Sequence, residues 1–184
     1  MVFTLGLGLI FSANVSELDN KNNSKNETKL YTQSIKDILP TKIELGTEWE
    51  LSDFTYIVKD HDANTPETMI GIYDHIKTST KPAYHIQSGV SKFDSINELR
   101  ENFEKNKKSM YATDVFEEWE PQISNSNCYG VIYSNEPYPY NTFNIICAKD
   151  NLYYFVNLRK AVDEYEINKK IAEDFANLIS NKID

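Results

Sequence analysis

Residues 128–160 constrain the fold most, because they form three consecutive runs rich in β-branched and aromatic residues that are separated by turn residues. A hairpin centred on residues 136–140 places Cys128 opposite Cys147. A second hairpin centred on Asp150 and Asn151 places Cys147 opposite Tyr154. The two registers turn the same residues to the same side, as a buried sheet face requires. The sequence therefore predicts a three-stranded antiparallel meander.

This register brings together Cys128 and Cys147, the two cysteines of the chain. Directly opposed residues of antiparallel strands have Cα atoms roughly 4.5 to 5.5 Å apart, which is within the range of a disulfide. We therefore predict a Cys128–Cys147 disulfide. Such bonds persist in oxidising compartments, so the pairing also favours an exported protein.

Both faces of the meander are apolar. One face carries Cys128, Ile132, Phe143, Ile145, Cys147, Tyr154, Val156 and Leu158, and the other carries Tyr129, Val131, Tyr133, Ile146, Tyr153 and Phe155. Each face needs a cover, and helical stripes at about 165–182 and 95–109 can provide one each. The predicted fold class is α+β, a twisted antiparallel β-sheet of five to six strands flanked by helices.

The remaining elements follow from shorter patterns. Residues 34–39 predict one or two helical turns before Pro40, and residues 49–59, 83–93 and 115–123 predict strands. Ser95 and Glu98 have the spacing of a capping box at the start of the 95–109 helix. Thr65-Pro66-Glu67 resembles a helix start, and Met69, Ile72, Tyr73 and Ile76 follow at helical spacing, so we predict a helix over 66–78.

The N-terminal part of the chain indicates export. Residues 1–13 begin with an uncharged apolar run of signal-peptide length and end in small residues, although a basic start is missing, and the alternative is a buried strand. Residues 14–30 are polar and predict a disordered linker. This linker contains three N-glycosylation sequons, at Asn14, Asn22 and Asn26. We expect residues 31–184 to form a single domain, located outside the cell or at its surface.

Charge and composition exclude several classes of function. The net charge is −9 and there is no basic cluster, so nucleic-acid binding is not expected. The chain has no G-x-S-x-G motif and no glycine-rich phosphate loop. The pairing of both thiols argues against a cysteine enzyme. The sequence predicts no catalytic residue and no bound cofactor.

The candidate metal ligands are isolated from one another. His61 lies in a polar loop between Asp60 and Asp62 without a third ligand at helical or strand spacing. His75 and His85 belong to different predicted elements. The acidic stretch 117–120 lacks the loop of a preformed calcium site, and an edge strand protected by charge is the favoured interpretation. We predict no metal site.

The order of elements resembles the α/β/α sandwich group that includes the PsbP, Mog1 and LpqN-like proteins. More closely, the segments Leu39-Pro40-Thr41, Gly46-Thr47-Glu48-Trp49, Cys128-Tyr129-Gly130 and Cys147-Ala148-Lys149-Asp150-Asn151 resemble small exported proteins of ammonia-oxidising archaea. The resemblance covers roughly residues 35–183. It implies an accessory role in the cell envelope, and it implies no catalytic residue.

Two hypotheses for function follow. The first is a non-enzymatic exported binding domain that contacts an unknown protein partner through Tyr138 and Tyr140, which the prolines of the 136–140 loop would hold rigid, or through an aromatic sheet face. The alternative is a small-molecule-binding protein or enzyme with a pocket between sheet and helix, built from Tyr84, His85 and residues 117–120. The two differ in whether these side chains converge in a cavity.

Overall fold

The computed structural model describes residues 30–59, 66–75, 84–110, 115–134, 141–160 and 165–183. Its strands are β1 (Trp49–Ile57), β2 (Glu67–His75), β3 (His85–Lys92), β4 (Val115–Trp119), β5 (Asn127–Ser134), β6 (Asn141–Lys149) and β7 (Leu152–Lys160). Its helices are a 3₁₀ turn (Ile35–Asp37), α1 (Lys42–Leu45), α2 (Ile96–Met110) and α3 (Tyr165–Ser180).

All seven strands join one sheet in the order β1-β2-β3-β7-β6-β5-β4, and every neighbouring pair is antiparallel. The α+β class is therefore confirmed, but the predicted number of five to six strands is too small. The difference arises at β2, where the sequence predicted a helix.

The predicted helix over 66–78 is wrong within the described residues, because Glu67–His75 is a strand. Met69, Gly71, Tyr73 and His75 are buried, and the residues between them are less so, which is the alternation of a strand rather than of a helix. Pairing with β1 on one side and β3 on the other supplies backbone hydrogen bonds along the whole segment. These non-local pairings outweigh the local resemblance to a helix start.

The register of the meander is confirmed. Cys128 pairs with Cys147 across β5 and β6, and Cys147 pairs with Tyr154 across β6 and β7. The two cysteines form the predicted disulfide, with a Cα–Cα distance of 4.2 Å. The β6–β7 connection turns at Asp150, whose φ of 53° lies in the left-handed region that aspartate tolerates.

Helices cover the two faces of the sheet separately. The face with the cysteines packs on the 3₁₀ turn and on the buried stripe of α3, which consists of Ala172, Phe175, Ala176 and Ile179. The opposite face packs on α2 through Phe103, which lies against Tyr129, Val131 and Ile146. The described chain thus has three layers, as a sheet with two apolar faces requires.

The other predicted elements agree with the structure to within a few residues at their ends. The first strand is β1, the strand over 83–93 is β3, and the strand over 115–123 is the shorter β4. The predicted cap of α2 is present, because the Ser95 hydroxyl accepts a hydrogen bond from the Glu98 N–H at 3.1 Å.

Candidate functional site

Several predicted site residues lie outside the described residues. These are the loop tyrosines Tyr138 and Tyr140 and the sequon residues Asn14, Asn22 and Asn26; His61, which was not assigned to a site, also lies outside them. The disulfide residues lie in the middle of the sheet, where Cys147 is completely buried. The disulfide is therefore a structural bond rather than an exposed redox pair.

The aromatic face formed by Tyr129, Tyr133, Tyr153 and Phe155 is not a free binding surface. Tyr129 is buried, and the other three are partly buried beneath α2 and beside one another. The Tyr133 hydroxyl donates a hydrogen bond to the carbonyl oxygen of Met110 at 3.3 Å. This face is therefore mainly core.

The pocket suggested by Tyr84, His85 and residues 117–120 is not formed. Tyr84 directly precedes β3 and His85 begins it, and the acidic stretch belongs mainly to β4, so that β7, β6 and β5 lie between them. Four interstrand spacings correspond to about 19 Å. Tyr84 also faces the α3 layer, where its ring stacks near Trp49 with centroids 6.5 Å apart. These side chains do not converge.

His85 instead finds its acidic partner in the neighbouring strand. Its Nδ1 lies 2.7 Å from Asp74 Oδ1, and the Ser52 hydroxyl donates to the other oxygen of the same carboxylate. The Ser52 hydroxyl, with a smaller contribution from His85, holds the pKa of Asp74 below its usual value despite partial desolvation. The result is an ionised carboxylate that fixes the orientation of the imidazole.

The two described histidines lie on neighbouring strands but on opposite faces of the sheet. His75 is buried between the rings of Trp49 and Tyr84, and its Nε2 is 3.5 Å from Glu48 Oε2. Across the described ranges, no three His, Cys, Asp or Glu side chains form a group that could hold a metal ion. The histidines therefore act as separate groups.

Strand β1 is an outer strand of the sheet and is largely exposed. It is nine residues long and pairs with β2 on one side, as the end strand in the order of the sheet. Seven of the nine residues are exposed, the exceptions being Trp49 and Tyr56. Exposed large apolar side chains are concentrated here: Leu51 is 44%, Phe54 47%, Ile57 39% and the following Val58 68% exposed. We call Leu51, Phe54, Ile57 and Val58 the β1 apolar edge.

Both ends of β1 are held in place. The Trp49 ring packs edge-on against His75 with centroids 5.0 Å apart, and it also lies 6.3 Å from the ring of Phe175 in α3. Near the other end, the Tyr56 hydroxyl donates to Glu67 Oε1 at 2.7 Å. A bulge between Leu51 and Asp53 interrupts the pairing with β2. The edge is therefore an ordered strand with a local kink.

The opposite edge of the sheet is protected, as the charge pattern of residues 117–120 predicted. Strand β4 is five residues long, and Glu117 forms a 2.6 Å ion pair with Lys169 of α3. The indole N–H of Trp119 donates to Glu173 of the same helix at 3.1 Å. Short length and charge are the usual means of preventing an edge strand from pairing with another chain. Strand β1 also carries exposed charges, at Glu50 and Asp53, but it has neither the short length nor such a helix contact along its middle.

The sequence analysis predicted β1 as a strand but did not predict that it would be exposed at the edge of the sheet. Between Glu50 and Lys59 the sequence has apolar residues at both odd and even positions. Such a run reads equally well as a central strand buried on both faces. Its position at the edge follows from the strand order. Strand β2 lies between β1 and β3, and β7 occupies the other side of β3, so β1 has one neighbour.

In the described part of the chain, none of the helices has the length and apolar character needed to cross a membrane.

Comparison with known proteins adds no further constraint on the site. No protein-family model, curated protein or solved structure matches this chain significantly.

Proposed function

We propose that this protein is an exported, non-enzymatic binding domain that holds an extended segment of a partner protein along β1. The observation that carries the proposal is the contrast between the two sheet edges. Strand β4 is short and tied to α3 by charged side chains, whereas β1 is long and presents the β1 apolar edge to solvent. An ordered, exposed, apolar edge strand is the usual template for strand addition.

The chemistry of β1 defines the partner segment. Backbone hydrogen bonds would provide affinity, and alternate apolar side chains of the partner would pack on Leu51 and Phe54. Glu50 and Asp53 lie in the same strand and are exposed, and the whole chain has a net charge of −9. The expected partner segment is therefore extended, apolar at alternate positions and basic.

A second copy of this chain fits the edge less well than such a segment. Pairing β1 with itself would bring the carboxylates of Glu50 and Asp53 toward those of the second copy. Like charges directly opposite each other in antiparallel strands are destabilising. Self-association through β1 would therefore argue against the proposal.

Export and the absence of catalysis are parts of the same proposal. Export is supported by the disulfide, which is typical of oxidising compartments, and by the apolar start of the sequence. A non-enzymatic role is supported by the use of both thiols in that disulfide and by the separation of Tyr84 and His85 from residues 117–120. The kinship with the PsbP, Mog1 and LpqN-like group remains a proposal, supported by the order of elements and implying an envelope accessory role.

The test compares two exposed apolar positions. Phe54 of β1 is 47% exposed and Ile167 of α3 is 52% exposed. A photo-crosslinking amino acid would be placed at each position in otherwise unchanged, disulfide-intact protein and irradiated in a native envelope fraction. We expect a discrete crosslinked partner from position 54 and none from position 167. The crosslinked peptide should carry basic residues among alternating apolar ones.

Charge variants then give the matched control. In pull-downs with protein that carries no crosslinking residue, Phe54→Lys should weaken recovery of the partner identified from position 54 at least tenfold, because burying such an aromatic contributes about 1.5 to 3 kcal/mol. Ile167→Lys should leave recovery unchanged, and both variants should keep wild-type thermal stability to within about 0.5 kcal/mol. Equal recovery with both variants, or a crosslink between two copies of this chain, would refute the proposal.

A further inference from the structure

The bulge in β1 divides the exposed edge of the sheet into two unequal parts. The pairing with β2 shifts between Leu51 and Asp53, which makes Ser52 the extra residue. Beyond the bulge, the pairing is regular over the five residues Asp53–Ile57. A bulge bends its strand and leaves the extra residue unpaired, which interrupts the ladder. The longest uninterrupted part of the outer edge therefore begins at Asp53.

A chain of hydrogen bonds across three strands holds the bulge in place. The Ser52 hydroxyl donates to one carboxylate oxygen of Asp74 in β2, and the other oxygen lies 2.7 Å from His85 Nδ1 in β3. The hydrogen bond from Ser52 is the main cause that holds the pKa of Asp74 below its usual value, so the acceptor stays ionised. Hydrogen bonds to an ionised acceptor are roughly twice as strong as neutral ones. We call Ser52, Asp74 and His85 the bulge lock.

The exposed apolar side chains lie mainly on the regular side of the bulge. Phe54, Ile57 and Val58 are 47%, 39% and 68% exposed. The next residue, Lys59, ends this apolar stretch, and its ammonium group forms an ion pair with Asp94. Residues 53–58 are thus an exposed, mainly apolar stretch of edge between the bulge lock and a charged residue.

The two faces of this stretch differ in chemistry. Phe54 pairs with Gly71, which lies two residues from the buried Tyr73, so the Phe54 side chain is on the face covered by α3. Asp53 and Ile57 alternate with it and are on the α2 face. A strand added here meets an aromatic ring on one face, and a carboxylate followed by an aliphatic side chain on the other.

We propose that the bulge lock sets the register and the length of strand addition, so that a partner segment pairs with residues 53–58 and stops at Ser52. This inference rests on the proposed function, because it concerns the same edge. The paired segment is about six residues or roughly 20 Å long. It carries an apolar side chain opposite Phe54 on the α3 face and a basic one opposite Asp53 on the α2 face.

The bulge lock acts through the shape of β1 and not by touching the partner, so its members are positioning residues. A slip of one residue in an added strand would move all of its side chains to the opposite faces. The basic side chain would then lie beside Phe54 and an apolar one beside Asp53. A fixed bulge prevents this slip, because it gives the added strand a single end point.

Leu51 and Phe54 are a matched pair for the test. They are 44% and 47% exposed and lie on opposite sides of the bulge. A short-range diazirine amino acid would be placed at position 51, 54 or 57 of otherwise unchanged, disulfide-intact protein and irradiated in a native envelope fraction. We expect the same partner from positions 54 and 57. The yield from position 51 should be about tenfold lower, because side chains beyond the end of a ladder are not held against the partner.

Serine variants then test the bulge lock itself. Ser52→Ala removes the hydroxyl and should raise the ratio of the yields from positions 51 and 54 about fivefold, because the end point is lost. Ser52→Thr keeps a hydroxyl and should restore the wild-type ratio. Ser109→Ala is the matched control, because Ser109 is also exposed and its hydroxyl donates to the carbonyl oxygen of Asn106 within α2. It should leave the ratio unchanged.

Amide hydrogen exchange in the free protein provides a readout that needs no partner. In Ser52→Ala, the amides of residues 51–53 should exchange about tenfold faster than in the wild type, because the bulge opens locally more often. Exchange in β7 should not change. All three serine variants alter exposed positions, so their melting temperatures should stay close to that of the wild type.

The possible failures are distinguishable. Equal yields from positions 51 and 54 in the wild type, or an unchanged ratio in Ser52→Ala, would overturn the limit at Ser52 and leave strand addition to β1 intact. Unchanged hydrogen exchange in Ser52→Ala would overturn the bulge lock without reference to any partner. The lack of a crosslink from both positions 54 and 57 would remove the proposed function, and this inference with it.

Discussion

Removing the disulfide should cost a measurable and calculable share of the stability. Cys128 and Cys147 are 19 residues apart, and in the chain-entropy model closing a loop of this length contributes about 3 kcal/mol. For a domain of this size, 1 kcal/mol corresponds to roughly 2 to 4 °C, so the Cys128→Ala/Cys147→Ala variant should melt about 6 to 12 °C below the wild type. The hairpin itself should survive, because residue pairs on both sides of the cysteines continue the β5–β6 ladder.

The assay is thermal unfolding followed by circular dichroism without reductant. Wild-type protein with dithiothreitol is the control, and it should approach the melting temperature of the variant. A difference below about 1 kcal/mol between variant and wild type would refute the loop-closure reasoning. Mass spectrometry that finds two free thiols in protein from its native compartment would also remove the main support for export.

Four further outcomes are expected. Removing residues 1–29 should leave the melting temperature close to that of the full chain, and aggregation of the truncated protein would contradict a dispensable leader and linker. Tyr138→Ser/Tyr140→Ser should leave stability nearly unchanged and weaken partner recovery if the 136–140 loop takes part in binding, and unaltered recovery would eliminate that loop. Gly89→Ala should cost about 1 to 3 kcal/mol in denaturant unfolding, because the added Cβ would lie 2.5 Å from a β7 ring carbon and 2.9 Å from a β2 carbonyl oxygen. The Asp74 carboxyl has a lowered pKa in the folded state, so it contributes stability above its unfolded pKa of about 4 that is lost as the pH falls through the folded value. Asp74→Asn should therefore make the unfolding free energy less dependent on pH between about pH 5 and pH 2, and an unchanged slope would contradict this.

The meander was predictable because its three strands follow one another directly in the sequence, so that the residue pattern of one short segment determines their pairing. Each of its faces is apolar at alternate positions, and the cysteines fix the same register that the turn at Asp150 and Asn151 suggests. A shift by one residue would take Cys128 out of register with Cys147, so a single register was consistent with the sequence. The helical stripes of α2 and α3 were readable for the same reason.

The strand β2 was not predictable from local patterns. Met69, Ile72 and Tyr73 satisfy helical spacing, while the buried Met69, Gly71 and Tyr73 also satisfy the alternation of a strand. The pairing with β1 and β3 decides between the two, and it is a property of the folded sheet.

The candidate site depends on the same kind of long-range pairing. The exposed position of β1 follows from the complete strand order, including the pairing of β3 with β7, which the sequence analysis did not predict. This edge has no local motif, whereas the disulfide, which does have one, was found directly from the sequence.

The pairing of β3 with β7 also determines when the sheet can be completed during synthesis. The chain makes β1, β2 and β3 first, and α2, β4, β5 and β6 follow before β7 is complete. Until then β3 has one free edge, and the early three strands cannot be joined to the rest of the sheet. Because non-local strand pairing is slow to form, a chain leaving the ribosome or a translocation channel stays open until its last strand emerges. Synthesis of β7 thus completes the sheet, and any delay before it leaves β3 without its second neighbour.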